Sequence, residues 1–206
     1  MPASQCTKRP RLYLAGPEVF RPDALAEGRR LKEAAARLGA EGIYPLDGEA
    51  LFSAGEIKRR CRDMIDEADV VVANISPFRG HHMDPGTAWE IGYAEARRKE
   101  VHLWSSDPRT LRLRIPGELG IGEVHLEWRD ADGHLVEDFD LQENLMITAE
   151  GGHVWSTPEE AMQAAVESVQ RAQFAYAGRR RLLWVSLAMF GFVAAASLLI
   201  SMARAP

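Results

Sequence analysis

Two carboxylates, Asp84 and Glu90, lie six residues apart in the run DPGTAWEIGYA at positions 84–94. The first residues of this run are typical of a loop and a helix start, and 89–96 predicts the helix itself. Glu90 is then expected near free backbone N–H groups and the positive end of the helix dipole, which favour an ionised, nucleophilic carboxylate. Asp84, in the preceding loop, is placed to handle a proton. This pair suits chemistry on a glycosidic bond, although the run alone leaves open a helix cap beside an ordinary surface glutamate.

Short apolar runs alternate with helical patterns along the chain. This alternation predicts an α/β fold, a flavodoxin- or Rossmann-like doubly wound parallel sheet with helices on both faces. The predicted strands lie at 11–15, 42–45, 69–75 and 101–104, with a last one ending at 154–155. Helical periodicity predicts a first helix at 25–38, and a possible capping box at Ser53 and Glu56 predicts the start of a second. The third predicted helix is the one at 89–96, and the last extends from Thr157 to about Tyr176.

The order of these elements predicts where a ligand binds. In a doubly wound sheet, ligands bind beyond the carboxyl ends of the strands, where the strand order reverses. The loop at 13–17 leaves the first strand and the loop at 74–80 leaves the third, so the two are expected to meet there. Glu90 follows the second of these loops. Topology and residue type therefore predict the same site.

Composition sets limits on the whole protein. Its 206 residues suffice for one domain plus an appendage, and we assign 1–10 to an N-terminal arm and 11–177 to the domain. The formal net charge of −5 gives no general affinity for nucleic acid, so any substrate related to nucleic acid is expected to be a small nucleoside rather than a polymer. The two cysteines show no metal or redox spacing and fit a reducing compartment. The first residues lack the apolar core of a signal peptide.

The C-terminal segment has a different character. Residues 182–203 carry no charge, and as a helix they would be roughly 33 Å long, enough to cross a hydrocarbon core of about 30 Å. Three arginines at 179–181 precede this run and only Arg204 follows it. We therefore predict that 178–206 forms a basic flank and a single-pass tail anchor, with the domain on the cytoplasmic side of the membrane. A buried core helix or a peptide that packs on a partner is the alternative.

Four segments resemble one known family, the nucleoside 2-deoxyribosyltransferases. They appear in the family's order and together span roughly 11–147. They are YLAGP at 13–17, Ala73-Asn74 with PFRG at 77–80, the run at 84–94, and Glu137-Asp138-Phe139 followed by Asn144-Leu145-Met146. The segment beyond 179 lies outside the resemblance.

The resemblance implies a double displacement on a 2′-deoxynucleoside. Glu90 matches the family's nucleophilic glutamate, which attacks C1′, releases the base and leaves a covalent deoxyribosyl-enzyme for a second base. Asp84 matches the acid that donates a proton to the leaving base. Tyr13 matches the tyrosine whose hydroxyl orients the nucleophile. These three are the predicted catalytic residues.

The resemblance also implies residues that bind the substrate. Asn144 and Met146 match a segment that completes the neighbouring subunit's site, which predicts a homo-oligomer, at least a dimer. Asn74 stands where some members carry an acid, which leaves the preference for the base open. The other predicted substrate-binding residues are Gly16, Pro17, Phe78, Arg79 and Gly86, of which Phe78 offers a stacking face and Arg79 a donor fork.

No metal or cofactor is predicted. His81 and His82 stand beside Asp84, but the loop lacks further ligands at a recognisable spacing. No glycine-rich phosphate loop is present, which favours a free nucleoside over a nucleotide. Two alternatives stay open: an N-hydrolase of 2′-deoxynucleosides or their 5′-phosphates, in which water accepts the sugar, and a membrane-tethered sensor of nucleosides or nucleotides.

Overall fold

The structure, a computed structural model, describes residues 8–48, 53–122, 126–149 and 152–177. These residues fall into two compact units, one at 8–167 and another that contains the described residues 168–177. The strands are β1 Arg11–Ala15, β2 Glu41–Ile43, β3 Val70–Asn74, β4 Val101–Trp104, β5 Gly117–Ile121, β6 Leu126–Asp130 and β7 Val154–Trp155. The helices are a 3-10 turn at Pro17–Phe20, α1 Ala24–Arg37, α2 Ala54–Glu67, α3 Pro85–Ala96, α4 Leu111–Arg114, α5 Leu145–Thr148, and α6, which is described over 158–177.

Five strands form a parallel sheet in the order β2-β1-β3-β4-β7. The order reverses between β1 and β3, so the loops that leave these two strands diverge to opposite faces and open a crevice between them. The predicted parallel α/β sheet is therefore confirmed, as is the position of its switch point. Strand β3 is buried along its whole length, as expected of a β-branched apolar run with helices on both sides.

The two faces of the sheet are packed differently. On one face, Tyr13 and Val71 join a buried apolar cluster with Ile65 of α2 and Ile91 of α3. On the other face, Leu14 lines a small cavity together with residues of α1 and α6. Helices α2 and α3 thus cover the face on which the two predicted catalytic residues, Tyr13 and Glu90, are found.

Some local predictions were inaccurate. Helix α3 begins at Pro85, one turn earlier than the predicted 89–96, because Asp84 caps it and proline is well accommodated in a first turn. No strand was predicted between 104 and 154, yet β5 and β6 pair there as an antiparallel hairpin. The capping box at Ser53 is confirmed: the Ser53 hydroxyl accepts from the Glu56 N–H at 3.3 Å and donates to its carboxylate at 2.6 Å.

The predicted membrane anchor is corrected. No helix among the described residues is both long enough and apolar enough to cross a membrane, and the predicted span at 182–203 lies outside those residues. The fold class shown for the described residues is therefore the parallel α/β sheet, with no membrane-spanning helix among those residues. The membrane location and the membrane partner inferred from that span are withdrawn with it, since a run of apolar residues gives length and hydropathy but not a spanning helix.

Candidate active site

The centre of the site is a hydrogen bond between two of the predicted catalytic side chains. Tyr13 projects from β1, fully buried, and its phenol donates to Glu90 Oε1 at 2.6 Å. Glu90 lies in the second turn of α3 and is partly exposed. A strand residue and a helix residue that are 77 positions apart are thus joined at the sheet face. The structure brings together the two side chains for which the sequence predicted the roles of nucleophile and orienting hydroxyl.

The environment of Glu90 differs from the one expected. Burial raises its pKa to about 7, and the nearby charge of Asp84 acts in the same direction. The hydrogen bond from Tyr13 opposes this shift without cancelling it. The expectation of a carboxylate favoured by free N–H groups is wrong, because α3 starts earlier and Glu90 lies beyond its first turn. A carboxyl group with this pKa exists in both protonation states near neutral pH.

The phenol of Tyr13 stays protonated. Burial, followed by the charge of Glu90, raises its pKa well above the ordinary value. Tyr13 is therefore a permanent donor to Glu90 over the physiological range, which suits it to orient the carboxylate rather than to exchange protons.

A third side chain, Cys61 of α2, completes the centre. Its thiol is within hydrogen-bonding reach of both Tyr13 and Glu90, and burial raises its pKa, so it is present as a thiol. Sequence reasoning noted that the two cysteines lack metal or redox spacing, and it did not assign Cys61 to the site. The available signal was its position on the helix face turned to the sheet, but its contact with Glu90 depends on how α2 packs against α3.

Asp84 serves as the N-cap of α3. Its Oδ2 accepts from the Thr87 N–H at 2.8 Å and from the Thr87 hydroxyl at 2.9 Å. The side chain is buried, and none of the hydrogen bonds found among the described residues uses Oδ1. The cap that the sequence left as an alternative is thus real. It also fixes the carboxyl group six residues, about 1.7 helical turns, before Glu90, with one oxygen available for a proton.

The loops after β1 and β3 meet, as the topology predicted. Gly16 is close to Asn74: a Cβ atom at Gly16 would lie 3.0 Å from Asn74 Cβ and would overlap the Glu18 carboxylate. The Asn74 amide donates to Glu18 at 2.5 Å and accepts from the Ser76 N–H at 2.8 Å. Asn74 is buried, so its polar atoms hold these loops together.

An aromatic pair joins the same two loops. The rings of Phe20 and Phe78 stack with centroids 5.3 Å apart, and the Arg79 guanidinium lies 5.1 Å and 4.7 Å from their respective centroids. Arg79 reaches this position from a left-handed backbone conformation, with φ of 52°. Sequence reasoning selected Phe78 and Arg79 but missed Phe20. The sequence feature that could have indicated Phe20 is an aromatic side chain in the turn directly after β1. A planar cation over two rings offers stacking surface to another aromatic group.

The remaining predicted residues lie at or near the N-terminal ends of helices. Pro17 begins the 3-10 turn and Gly86 is an exposed residue in the first turn of α3. Asn144 caps α5: its Oδ1 accepts from the Met146 N–H at 3.0 Å, and its amide donates to Glu137 at 2.5 Å. Met146 is 75% exposed. Within the described part of one chain, no hydrogen bond joins Asn144 or Met146 to Glu90.

Comparison with known proteins places this site in a family. The sequence profile described as nucleoside 2-deoxyribosyltransferase matches residues 12–146. The chain belongs to the nucleoside 2-deoxyribosyltransferase family. The match contains every residue predicted above for catalysis or substrate binding, and membership makes the chain a glycosyl-transferring enzyme.

Two relatives of this family member illustrate the similarity. An uncharacterized protein of Schizosaccharomyces pombe is 31% identical over an alignment of length 180, and the match covers 75% of this chain and 84% of the relative. A solved 2-desoxiribosyltransferase from Leishmania mexicana is 33% identical, with a TM-score of 0.66, and the alignment covers 77% of this chain and 97% of that one. The likeness to a solved member of the family thus extends over most of both chains.

Proposed function

We propose that the protein moves a 2-deoxyribosyl group from one nucleobase to another through a covalent intermediate on Glu90. Family membership supports the reaction class, and the Tyr13–Glu90 hydrogen bond is the single observation that carries the assignment of the nucleophile. The phenol fixes Oε1, and we assign the attack to Oε2.

In the first step, Glu90 Oε2 forms a bond to C1′ of the deoxynucleoside as the bond from C1′ to the base nitrogen breaks. The electron pair of that bond goes to the base, and a proton from Asp84 neutralises it. The products are the free base and a deoxyribosyl ester of Glu90. The transition state at C1′ is oxocarbenium-like, which a nearby carboxylate stabilises electrostatically.

In the second step, a nitrogen of the incoming base attacks C1′ and the ester bond breaks. The electron pair returns to the Glu90 carboxylate, and the proton of the attacking nitrogen passes to Asp84. Two inversions at C1′ give net retention. The pKa of Glu90, about 7, matches this cycle because the group must be both a nucleophile and a leaving group near neutral pH.

The stacked pair Phe20 and Phe78, with Arg79 above it, is proposed to receive the base. All three lie on the loops that leave β1 and β3, and their flat faces suit a planar heterocycle. Asn74 contributes indirectly, since both of its polar groups are already hydrogen-bonded within these loops.

A homodimer or larger homo-oligomer is proposed to complete each site with Asn144 and Met146 of a neighbour. The support is the exposed side chain of Met146, which a second copy would cover. Mixing inactive Glu90→Ala with an inactive Asn144 variant tests this. Recovered activity is expected, because hybrid oligomers regain one intact site, whereas no recovery after subunit exchange would contradict shared sites.

A chromatographic assay with 2′-deoxyinosine, with and without adenine, tests the reaction. Transfer predicts hypoxanthine and 2′-deoxyadenosine in amounts that depend on adenine. Release of free 2-deoxyribose without an acceptor would indicate an N-hydrolase instead. Turnover that is unchanged in Glu90→Ala would overturn both enzymatic assignments, and binding without turnover by the wild type would favour a nucleoside sensor.

A further inference from the structure

A buried carboxylate outside the proposed chemistry connects two parts of the site. Glu143 is 1% exposed and precedes Asn144. Its Oε1 lies 2.7 Å from His82 Nδ1 and accepts from the Asn144 N–H at 3.0 Å. Its Oε2 accepts from the Met83 N–H at 2.9 Å. The carboxylate therefore ties the loop at 82–83 to the segment that begins at Asn144.

The charge of Glu143 is compensated by a second buried group. Arg114 of α4 donates from Nη2 to Glu143 Oε2 at 3.2 Å, and the two side chains are 2% and 1% exposed. The same nitrogen also donates to the Gln142 carbonyl. A buried charge that keeps its partner and its hydrogen bonds is tolerated, whereas removing the partner is costly. The pair thus holds the Glu143 carboxylate in one position.

The loop fixed by Glu143 is the one that presents Asp84. Met83, whose N–H is bound by Glu143, is the residue directly before Asp84, and the Met83 side chain is itself buried. On its other side, Asp84 is held by its cap hydrogen bonds to Thr87. Asp84 is consequently anchored from both chain directions, by Glu143 before it and by α3 after it.

We propose that Glu143 is a positioning residue for proton transfer by Asp84. This inference rests on the proposed function, in which Asp84 gives a proton to the leaving base. Proton transfer requires the acid within hydrogen-bonding distance of the base nitrogen, and an error of about 1 Å can cost about 100-fold in rate. Glu143 does not touch the substrate in this scheme; it acts through the Met83 backbone.

Replacing Glu143 by glutamine disturbs this arrangement in either amide orientation. Both carboxylate oxygens accept from a backbone N–H, Oε1 from Asn144 and Oε2 from Met83. An NH2 group in place of either oxygen would face a donor. The size of the side chain is kept, so the change acts on hydrogen bonding rather than on packing.

The test compares two substrates that differ in their need for a proton. The base of 2′-deoxyinosine leaves well only when it is protonated, whereas N7-methyl-2′-deoxyinosine carries a positive charge and its base departs without an added proton. Glu143→Gln is expected to lower kcat for base release from 2′-deoxyinosine by about 10- to 100-fold. Release from the N7-methyl substrate should change little. A purely structural defect would lower both rates equally, and that result would overturn the proposal.

Three further variants sharpen the experiment. Asp84→Asn should show the same split between substrates, and adding Glu143→Gln to it should cause no further loss. Glu137→Gln is the matched control: Glu137 binds the Asn144 amide and the Leu145 N–H at 2.5 and 2.9 Å, without touching the loop at 82–83. It should affect both substrates alike. A substrate split in Glu137→Gln as large as in Glu143→Gln would contradict the inference.

His82→Ala provides a test that does not depend on a buried substitution. The His82 side chain is 58% exposed, so its removal is compatible with folding even if Glu143→Gln is unstable. It removes one of the two contacts between Glu143 and the loop, and a smaller loss with the same split is expected. Equal loss on both substrates would overturn the proposal.

The failure of this inference is distinguishable from the failure of the proposed function. A wild-type protein that releases no base from either substrate contradicts the proposed function. If the wild type and Asp84→Asn behave as described but Glu143→Gln lowers the rates on both substrates equally, only the positioning role is contradicted.

Discussion

The Tyr13 phenol and the Glu90 carboxylate share a hydrogen bond of 2.6 Å across the interface between β1 and α3. This bond stabilises the ionised form of a carboxyl group whose pKa burial raises to about 7. In the proposed role of nucleophile, Glu90 is desolvated and one of its two oxygens is held by a strong donor.

Tyr13→Phe removes that donor and should raise the pKa of Glu90 further above 7. The rate of base release follows the ionised fraction of Glu90, so its acidic limb should move to higher pH. A shift of one unit would correspond to about 1.4 kcal/mol. A pH profile of kcat/KM between pH 5 and 9 measures the shift of this limb. We expect a shift on the order of one pH unit. An unchanged acidic limb would show that the phenol does not control Glu90.

Cys61→Ala should shift the same limb in the same direction, but by less than Tyr13→Phe does. The reason is that the thiol also lowers the pKa of Glu90 by hydrogen bonding, and its effect is smaller than that of the phenol. The same profile serves as the readout. A shift to lower pH would contradict the contact between the thiol and the carboxylate.

The sequence predicted the strands β1, β3 and β4 and the switch point. These follow from patterns that local propensity and chain order determine, such as the apolar run of β3. The contact of Tyr13 with Glu90 was expected from the family resemblance. The pKa of Glu90 could not be predicted, because desolvation depends on how α2 and α3 cover the sheet. For the same reason Cys61 was left out of the site.

The hairpin of β5 and β6 was missed for a different reason. Its first strand contains glycine at both Gly117 and Gly120, which is unfavourable within a strand, and its apolar residues Leu119 and Ile121 are exposed. Pairing with β6 stabilises it in the fold, which local propensity does not report. Similarly, no sequence pattern singled out Glu143, because its position in the site depends on its contacts with Met83 and Arg114.

Glu90→Gln should stabilise the protein at alkaline pH. A carboxyl group whose pKa is higher in the folded state than its unfolded value of about 4.3 contributes stability that is complete below that value. The contribution is lost as pH rises through about 7. Because Glu90 is only partly buried, the gain at pH 8.5 should be limited to about 2 kcal/mol, and it should vanish near pH 4.

Urea unfolding of wild type and Glu90→Gln at the two pH values measures this difference, provided that the m-values agree. Equal stability of the two proteins at pH 8.5 would show that Glu90 ionises without cost in the folded state.

Gly16→Ala should destabilise the protein by about 1 to 3 kcal/mol through overpacking. The backbone at Gly16 is extended, so the cost is steric: the new methyl group would displace the Glu18 carboxylate from its hydrogen bond with Asn74. Gly92→Ala is the matched control, since a Cβ there meets no atom within 4 Å. That change should instead stabilise α3 by about 0.5 to 1 kcal/mol. Thermal or urea unfolding distinguishes the two, and a neutral Gly16→Ala would contradict the close approach of the loops.

Intact-mass measurement after rapid mixing with a 2′-deoxynucleoside, without an acceptor base, tests the central claim most directly. The account predicts a protein species heavier by one deoxyribosyl unit, with the adduct on the peptide that contains Glu90, and its loss when an acceptor base is added. Glu90→Gln should show no adduct. A deoxyribosyl adduct on another residue, or base turnover by the Glu90→Gln variant at the wild-type rate, would contradict it.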